Sequence, residues 1–265
     1  MGTIISVLNH KGGVGKTTVT VNLAHALTRL GKKVLVIDNS SQCNASQILL
    51  PKSADVKITL YNLYDANSPR YKSEQYLYPT KYKDLYCAPN HPDTGSLEAK
   101  IFLSPSHVEN LLILKDTIRD HVKERFDYTL IDNSASLGAF ALCVLNMSDG
   151  VLIPVKAGSG FSIDGVINVV RLIEEIQKNY NPRLRTTRLL VNQVDRRTST
   201  SQYTFERVRQ HFGDNFFMQV SIPSNAAFEK AEAVRETILK YQGAAPGAKA
   251  FRELAKETSE TFRED

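Results

Sequence analysis

Short apolar runs alternate with longer amphipathic stretches along the chain. The runs are rich in Val, Ile, Leu and Tyr, and those at 34–37 and 151–153 are apolar at every position. A strand that is apolar on both sides must be covered on both faces, which is typical of a parallel sheet. The predicted strands are Ile4–Leu8, Lys33–Asp38, Leu85–Ala88, Tyr128–Asp132, Gly150–Val155, Arg188–Val194 and Phe217–Ile222.

The amphipathic stretches predict helices between these strands. They are expected at Thr17–Leu30, Ser106–Lys123, Ser162–Tyr180, Ser201–Phe212 and Ala248–Phe262. The least regular stretch, Tyr64–Lys83, is tyrosine-rich and reads as a surface excursion or a partner contact. No repeat, low-complexity tract or linker is present, so we expect one α/β domain over residues 1–265, with a mostly parallel, twisted sheet and helices on both faces.

Composition and charge narrow the function classes. No run of 18 apolar residues occurs and the chain enters a strand directly, so neither a transmembrane helix nor a signal peptide is expected. Cys43, Cys87 and Cys143 form no CxxC pair, which argues against a zinc site and favours a reducing cytoplasm. The formal net charge of +5 fits ordinary solubility and also attraction to a polyanion such as DNA.

Three glycines lie between the first predicted strand and the first predicted helix. Gly12, Gly13 and Gly15 let backbone N–H groups approach phosphate oxygens that a Cβ atom would obstruct. The N-terminus of the following helix adds partial positive charge. Lys16 can place its ammonium group against the β- and γ-phosphates, and Thr17 can place its hydroxyl group on Mg²⁺. The segment therefore predicts a P-loop NTPase that binds ATP with Mg²⁺.

The strict pattern GxxxxGK[ST] fails at its first position, where the chain has His10. What remains, KGGVGKT, resembles the deviant Walker A signature of the ParA/MinD family of ATPases, in its ParA (Soj)-like partition and positioning branch. The resemblance covers nearly the whole chain. It implies that the nucleotide is bound by Lys11, Gly12, Gly13, Val14, Gly15, Lys16, Thr17 and Thr18. It also implies that Lys11 reaches the partner's nucleotide across an ATP-dependent homodimer, like an arginine finger; the alternative is a local phosphate contact.

Two of the predicted strands end in an aspartate. Asp38 ends the second strand, and Asp132 ends the fourth within the frame FDYTLID, which resembles the Walker B segment of the family. A carboxylate that faces the phosphate-binding loop is placed to hold the water shell of Mg²⁺. The predicted metal-site residues are therefore Thr17, Asp38 and Asp132.

The segment after the second strand departs from the family pattern. The family has D-x-D-P-Q-G-N, whereas residues 38–44 are DNSSQCN, so Ser40 replaces the aspartate that positions the attacking water and Cys43 replaces the glycine. A serine cannot accept a proton at neutral pH as a carboxylate can. We therefore expect a slow ATPase, or one in which Asp38 or Gln42 substitutes. The expected catalytic residues are Lys11, Lys16, Asp38 and Ser40.

The resemblance also implies a nucleoside pocket and a DNA-binding surface. In the family the residue at the place of Asn192 hydrogen-bonds the adenine edge, and the segment around Pro223 packs on the base. Basic residues of the C-terminal third bind double-stranded DNA without sequence preference, although an arginine of the family is Ser224 here. The expected DNA-contacting residues are Arg196, Arg197, Lys230, Arg235, Lys240, Lys249 and Arg252.

The last segment argues against membrane attachment. MinD-type members end in a basic amphipathic helix, whereas residues 251–265 hold many acids and few apolar side chains. We therefore expect a cytoplasmic, nucleoid-associated ATPase that dimerises on ATP, binds DNA, and is released by a partner protein that stimulates hydrolysis. Its cargo would be a plasmid, a chromosome or another body. The alternatives are a low-turnover regulatory ATP switch and a P-loop metabolic enzyme without DNA binding.

Overall fold

The computed structural model describes residues 1–104, 106–156, 163–195 and 209–263. Its strands are β1 (Thr3–Val7), β2 (Val34–Asn39), β3 (Tyr78–Pro79), β4 (Leu85–Ala88), β5 (Tyr128–Asn133), β6 (Gly150–Lys156) and β7 (Thr186–Asn192). Within the described residues they form one sheet of order β3-β4-β2-β5-β1-β6-β7. Only the short edge strand β3 is antiparallel to its neighbour among these pairs. The predicted, mostly parallel sheet is therefore confirmed.

The centre of the sheet is buried on both faces, as its continuous apolar runs predict. Every residue of β1, β2 and β5 is buried. The carboxyl ends of parallel strands meet at one edge of the sheet, where ligands bind in folds of this kind. The loop after β1 therefore opens at the middle of that edge. Asp38 and Asp132 lie beside each other there, because they are in register on β2 and β5.

Helices cover both faces of the sheet. They are α1 (Lys16–Arg29), α2 (Asn44–Leu49), α3 (Leu60–Tyr64), α4 (Leu97–Leu103), α5 (His107–Arg125), α6 (Ala139–Met147), α7 (Ile163–Asn179), α8 (Ala227–Ala233), α9 (Ile238–Tyr241) and α10 (Pro246–Thr261). One apolar core joins α1 and α10 to the face that carries Ile5 and Val7. The opposite face, which carries Ile4, packs against α5 and α6, and α7 extends this layer.

The predicted strand Phe217–Ile222 is wrong as a strand. The chain from Phe217 to Pro223 makes only isolated bridges to β7 and its continuation, from Phe217 to Leu189 and from Pro223 to Val194. Between them, the backbone N–H groups of Gln219 and Val220 donate to the carboxylate of Glu257. The N–H groups of Met218 and Ile222 still donate to β7, so the carboxylate on α10 interrupts the ladder between them.

Three further differences concern helices and the edge strand. The sequence predicts no helix at α6, because eight of its nine residues are buried and no polar face reveals a helical period. The stretch Tyr64–Lys83 contains a 3₁₀ helix and strand β3. Most of the predicted helix Ser201–Phe212 lies outside the described residues, and residues 209–212 are helical.

The C-terminal helices pack on α1, the helix that follows the glycine-rich loop. Phe251, Leu254 and Ala255 of α10 are buried in the core shared with α1. The start of α9 is held by Asn22, whose Oδ1 accepts a hydrogen bond from the N–H of Ile238 at 2.7 Å. The last helix is therefore a packing helix, as its composition predicts. None of the helices in the described part of the chain is long and apolar enough to cross a membrane.

Candidate nucleotide-binding site

The loop between β1 and α1 has the backbone of a phosphate cradle. Gly13 and Gly15 have φ angles of 71° and 86°, in the left-handed region that favours glycine. Space is also restricted at Gly15, where a Cβ atom would lie 2.3 Å from Nδ2 of Asn192. The loop and the first residues of α1 line a cleft of about 520 Å³ at the carboxyl edge of the sheet.

Lys16 is held beneath this loop by a backbone carbonyl. Its side chain is buried, and Nζ donates to the carbonyl oxygen of Lys11 at 3.1 Å. Burial lowers the pKa of Lys16, and the charge of Asp132 acts in the opposite direction. A phosphate oxygen is a stronger, charge-assisted partner for the ammonium group than a carbonyl oxygen. The geometry therefore suits a lysine that transfers its hydrogen bond to a phosphate in the cleft.

Asp132 is fully buried at the end of β5, where it holds the hydroxyl group of Thr17. Its Oδ2 accepts from Thr17 Oγ1 at 2.7 Å, and its Oδ1 accepts from Thr20 Oγ1 at 3.5 Å. Burial raises the pKa of Asp132, and the neighbouring charge of Asp38 raises it further. A cation would stabilise the ionised carboxylate. The Thr17–Asp132 pair therefore fits a site in which Mg²⁺ takes its other ligands from phosphate and water.

The described residues contain no second candidate metal site built from protein groups alone. There, no cluster of three or more His, Cys, Asp or Glu residues could hold a metal ion. Mg²⁺ commonly uses one or two protein ligands together with substrate phosphates. The donor set at Thr17 and Asp132 is of that kind.

Asp38 is fully buried as well, but it binds protein groups. Its Oδ2 accepts from the N–H and the hydroxyl group of Ser46 at 2.8 and 2.6 Å, and its Oδ1 accepts from the N–H of Ser40 at 3.2 Å. Burial raises the pKa of Asp38, while the hydrogen bonds from Ser46 and Ser40 lower it. Asp38 therefore joins β2 to the start of α2. Its predicted metal-binding and catalytic roles stay predictions.

The loop from Ser40 to Asn44 borders the cleft near the end of β2. Ser40 is buried, and its Oγ accepts from the N–H of Gln42 at 3.3 Å. Cys43 precedes α2 with a φ of 55°, a left-handed conformation that costs a residue with a Cβ about 1–2 kcal/mol. Cys43 therefore has the backbone conformation that glycine favours, at a position where the family has glycine.

Asparagines end strands β2 and β5, and no role is predicted for them from the sequence. Asn133 lines the cleft, and its Nδ2 donates to the carbonyl oxygen of Val7 at 3.2 Å. Its Oδ1 accepts from Asn39 at 3.0 Å, and Asn39 in turn accepts from the hydroxyl group of Tyr64 at 2.7 Å. The available sequence signal is a polar residue directly after an apolar strand, the same signal that marks Asp38 and Asp132.

Asn192 and Gln193, at the end of β7, hold the opposite side of the loop. Asn192 Nδ2 donates to the carbonyl oxygen of Val14 at 2.8 Å, and its Oδ1 accepts from the N–H of Gln193 at 2.9 Å. Gln193 Nε2 donates to the carbonyl oxygen of Gly13 at 3.2 Å. Pro223 lies next to this strand end through its bridge to Val194. The predicted adenine contacts of Asn192 and Pro223 stay predictions.

Sequence comparisons place the chain among partition ATPases. A family model described as an AAA domain matches residues 2–186. The chromosome-partitioning ATPase Soj of Thermus thermophilus is 33% identical, over 98% of this chain and 96% of the relative. The sporulation initiation inhibitor protein Soj of Bacillus subtilis is 30% identical, over 98% and 99%. The chain belongs to the ParA/MinD family, in its Soj-like partition branch.

Membership of the ParA/MinD family confirms the assignment based on KGGVGKT and makes the chain a partition-type ATPase. A structure of cobyrinic acid a,c-diamide synthase from Mycobacterium smegmatis with bound ADP and magnesium is also similar. It is 23% identical, covers 99% of this chain and 97% of that one, and has a TM-score of 0.80. At this identity the likeness shows the fold alone. It confirms the predicted P-loop NTPase fold.

The predicted DNA-contacting residues of this ParA/MinD-family chain fall into three groups. Arg196 and Arg197 lie outside the described residues. Arg252 is half-buried, and its Nη1 donates to the carbonyl oxygen of Gly243 at 2.9 Å, so it stabilises the turn before α10. The exposed candidates are Lys230, Arg235, Lys240 and Lys249. Six acidic residues accompany seven basic ones between 227 and 263, so this surface is nearly neutral on average.

Proposed function

We propose that the chain, as a single domain over residues 1–265, is an ATP-switched partition ATPase. It binds ATP with Mg²⁺, forms a homodimer in the ATP state and binds double-stranded DNA without sequence preference. A partner protein stimulates hydrolysis and links the ATPase to a plasmid, a chromosome or another cargo. The protein acts in the cytoplasm on the nucleoid. The observation that carries the proposal is the glycine cradle above Lys16 beside the Thr17–Asp132 pair.

Nucleotide binding follows from the contacts around the loop. The buried ammonium group of Lys16 has one carbonyl partner at 3.1 Å, which a β- or γ-phosphate oxygen would replace. Bound Mg²⁺ would supply positive charge against the phosphates; Thr17 would hold the ion and Asp132 its water shell. The Mycobacterium smegmatis structure of the same fold, which holds ADP and magnesium, supports this pairing of ligands.

Lys11 is proposed to act on the nucleotide of a second copy. It is exposed and does not line its own cleft. Its backbone is fixed, because its N–H donates to Asn9 Oδ1 at 3.0 Å and its carbonyl oxygen accepts from Lys16. A fixed backbone with an exposed side chain suits a cation that completes another site in trans, as an arginine finger does.

Hydrolysis is proposed to be slow without the partner protein. Ser40 is no proton acceptor at neutral pH. Asp38 is fully buried and already accepts three hydrogen bonds. Gln42 lines the cleft, where an amide can orient a water molecule but cannot take its proton. Ser40 is also the observation that favours the second candidate function, a low-turnover regulatory ATP switch.

The test of the nucleotide switch compares the wild type with Lys16→Ala. Titration calorimetry with ATP and Mg²⁺ should show binding by the wild type and none by the variant, because the main cation for the phosphates is gone. Equal affinities would remove the phosphate-cradle assignment. The rate of phosphate release, measured with and without DNA, then distinguishes the two candidate functions. A partition ATPase releases phosphate measurably, whereas a low-turnover regulatory switch releases very little.

DNA binding is tested by fluorescence anisotropy on unrelated duplexes across a salt series. With ATP, affinity should fall steeply with salt, with a slope of roughly −0.9 on logarithmic axes for each phosphate neutralised. Lys230→Glu combined with Lys249→Glu should weaken binding to all duplexes about equally, because phosphates carry no sequence information. Arg171→Glu combined with Lys178→Glu, at two exposed positions of α7 outside the candidate set, is the control with the same change in charge. An ATP dimer that binds no duplex at low salt would contradict the DNA part.

A further inference from the structure

The cleft has a metal end and an opposite end, and the sheet order separates them. Strands β5 and β2 lie on one side of β1 and bring Asp132 to the cleft edge. Strands β6 and β7 lie on the other side and bring Asn192 and Gln193. Because Thr17 points to Asp132, the γ-phosphate and the metal belong at the β5 side. The nucleoside therefore belongs on the side of β7.

At that opposite end, Asn192 is bonded to the loop. Its Nδ2 donates to the carbonyl oxygen of Val14, its Oδ1 accepts from the N–H of Gln193, and the residue is 3% exposed. The amide keeps one further donor and one further lone pair, with which a contact with the base can be made without breaking these bonds. The ribose hydroxyl groups are separate donors, which a second side chain at this end can bind.

Helix α8 supplies a side chain at this place. The bridge between Val194 and Pro223 brings the chain from β7 to α8. Ala227 and Ala231 of α8 are buried in the core that also contains α1. Glu232, next along the helix, is exposed and lines the nucleotide cleft together with Thr18 and Gln193. Within the described residues, no hydrogen bond or ion pair engages its carboxylate.

We propose that Glu232 is a specificity-determining residue whose carboxylate accepts hydrogen bonds from the ribose hydroxyl groups of the bound nucleotide. An ionised carboxylate is only an acceptor, and beside a polyphosphate its charge opposes binding unless it faces a donor. The ribose offers two adjacent donors, and carboxylates bind ribose hydroxyl groups in other nucleotide-binding folds. This inference rests on the nucleotide-binding part of the proposed function.

The test uses titration calorimetry with Mg²⁺ and the diphosphates ADP, 2′-deoxy-ADP, 3′-deoxy-ADP and IDP. Diphosphates keep the measurement apart from ATP-dependent dimerisation. The wild type should prefer ADP to at least one deoxy analogue by about tenfold or more, as expected for a hydrogen bond to a charged group. In Glu232→Ala this preference should fall to near one. Glu229→Ala removes the same charge one turn earlier on α8, outside the cleft lining, and should keep the wild-type preference.

Other outcomes overturn the inference in distinguishable ways. An unchanged preference for ADP over both deoxy analogues in Glu232→Ala would show that the carboxylate does not bind the ribose. A rise in affinity for all four ligands by the same factor would show that it only repels phosphate. Loss of discrimination against IDP alone would assign it to the adenine amino group. If the wild type binds no diphosphate at all, the proposed function itself fails at the nucleotide.

Discussion

Replacing Gly15 by alanine perturbs the phosphate-binding loop in two separable ways. At a φ of 86° an alanine pays the cost of a left-handed backbone, about 1–2 kcal/mol. The new Cβ atom would also lie 2.3 Å from Asn192 Nδ2, so the amide must move. Its hydrogen bond to Val14 at 2.8 Å would break, and a buried group left without a partner costs about 1–3 kcal/mol. The expected loss in the free energy of unfolding is therefore about 2–5 kcal/mol.

Gly31 provides the matched control for the backbone contribution. Its φ is 77°, and no atom lies within 4 Å of a Cβ atom added there. Gly31→Ala should therefore lose only about 1–2 kcal/mol. In the Asn192→Ala background, Gly15→Ala should lower the free energy of unfolding by a similarly small amount. The amide that the new methyl group would meet has already been removed there.

Urea unfolding followed by circular dichroism measures these losses, provided that the slopes against urea stay constant. Equal losses for Gly15→Ala and Gly31→Ala would refute the proposed clash with Asn192. The same conclusion would follow if Gly15→Ala cost as much in the Asn192→Ala background as in the wild type. A loss confined to nucleotide affinity, with unchanged stability, would show that Asn192 adapts without cost.

Three further predictions concern the proposed switch. Lys11→Ala keeps the carbonyl oxygen that holds Lys16, so ADP affinity should stay near that of the wild type while ATP-dependent dimerisation and turnover fall. Light scattering measures the dimer and phosphate release measures turnover. A variant that still dimerises and hydrolyses ATP like the wild type would contradict this prediction. Ser40→Asp should raise phosphate release by restoring a carboxylate, and unchanged release with intact ATP binding would place the catalytic water elsewhere. Burial raises the pKa of Asp132, so the folded protein holds that proton more tightly and loses stability as pH rises through the raised pKa. In urea unfolding without ligand, Asp132→Asn should reduce this loss of stability with pH, and it should also weaken Mg²⁺-dependent nucleotide binding. A stability profile against pH that runs parallel to that of the wild type would contradict the raised pKa of Asp132.

The phosphate end of the cleft was predictable from sequence because its determinants are local. The buried strand β1, the glycines and the start of α1 follow one another without interruption between residues 3 and 29. The apolar runs of β2 and β5 also place Asp38 and Asp132 at strand ends. What the strand pattern does not indicate is where each carboxylate points. Asp132 turns to Thr17, whereas Asp38 turns to Ser46 eight residues later.

The segment from Phe217 to Ile222 shows how a correct apolar pattern can give the wrong element. Phe217, Met218 and Ile222 are buried, which is what a strand pattern records. Whether a ladder forms depends on where the backbone donors go. Those of Gln219 and Val220 go to Glu257. No property of the segment itself reveals that partner on α10.

The nucleoside end of the cleft depends on contacts between distant parts of the chain, so its residues could not be selected from a local motif. Asn192 is bonded to a loop 178 residues away in the sequence, a contact that no local motif indicates, and its contact with the base stays a prediction. Glu229 and Glu232 lie one turn apart on the same short helix, and nothing in the sequence of α8 separates them. Only Glu232 lines the cleft, because the Val194–Pro223 bridge and the hydrogen bond from Ile238 to Asn22 fix both ends of the segment that carries α8. A chain with the same phosphate-binding loop but another path between residues 223 and 238 would therefore bind the same phosphates and recognise the nucleoside with different side chains.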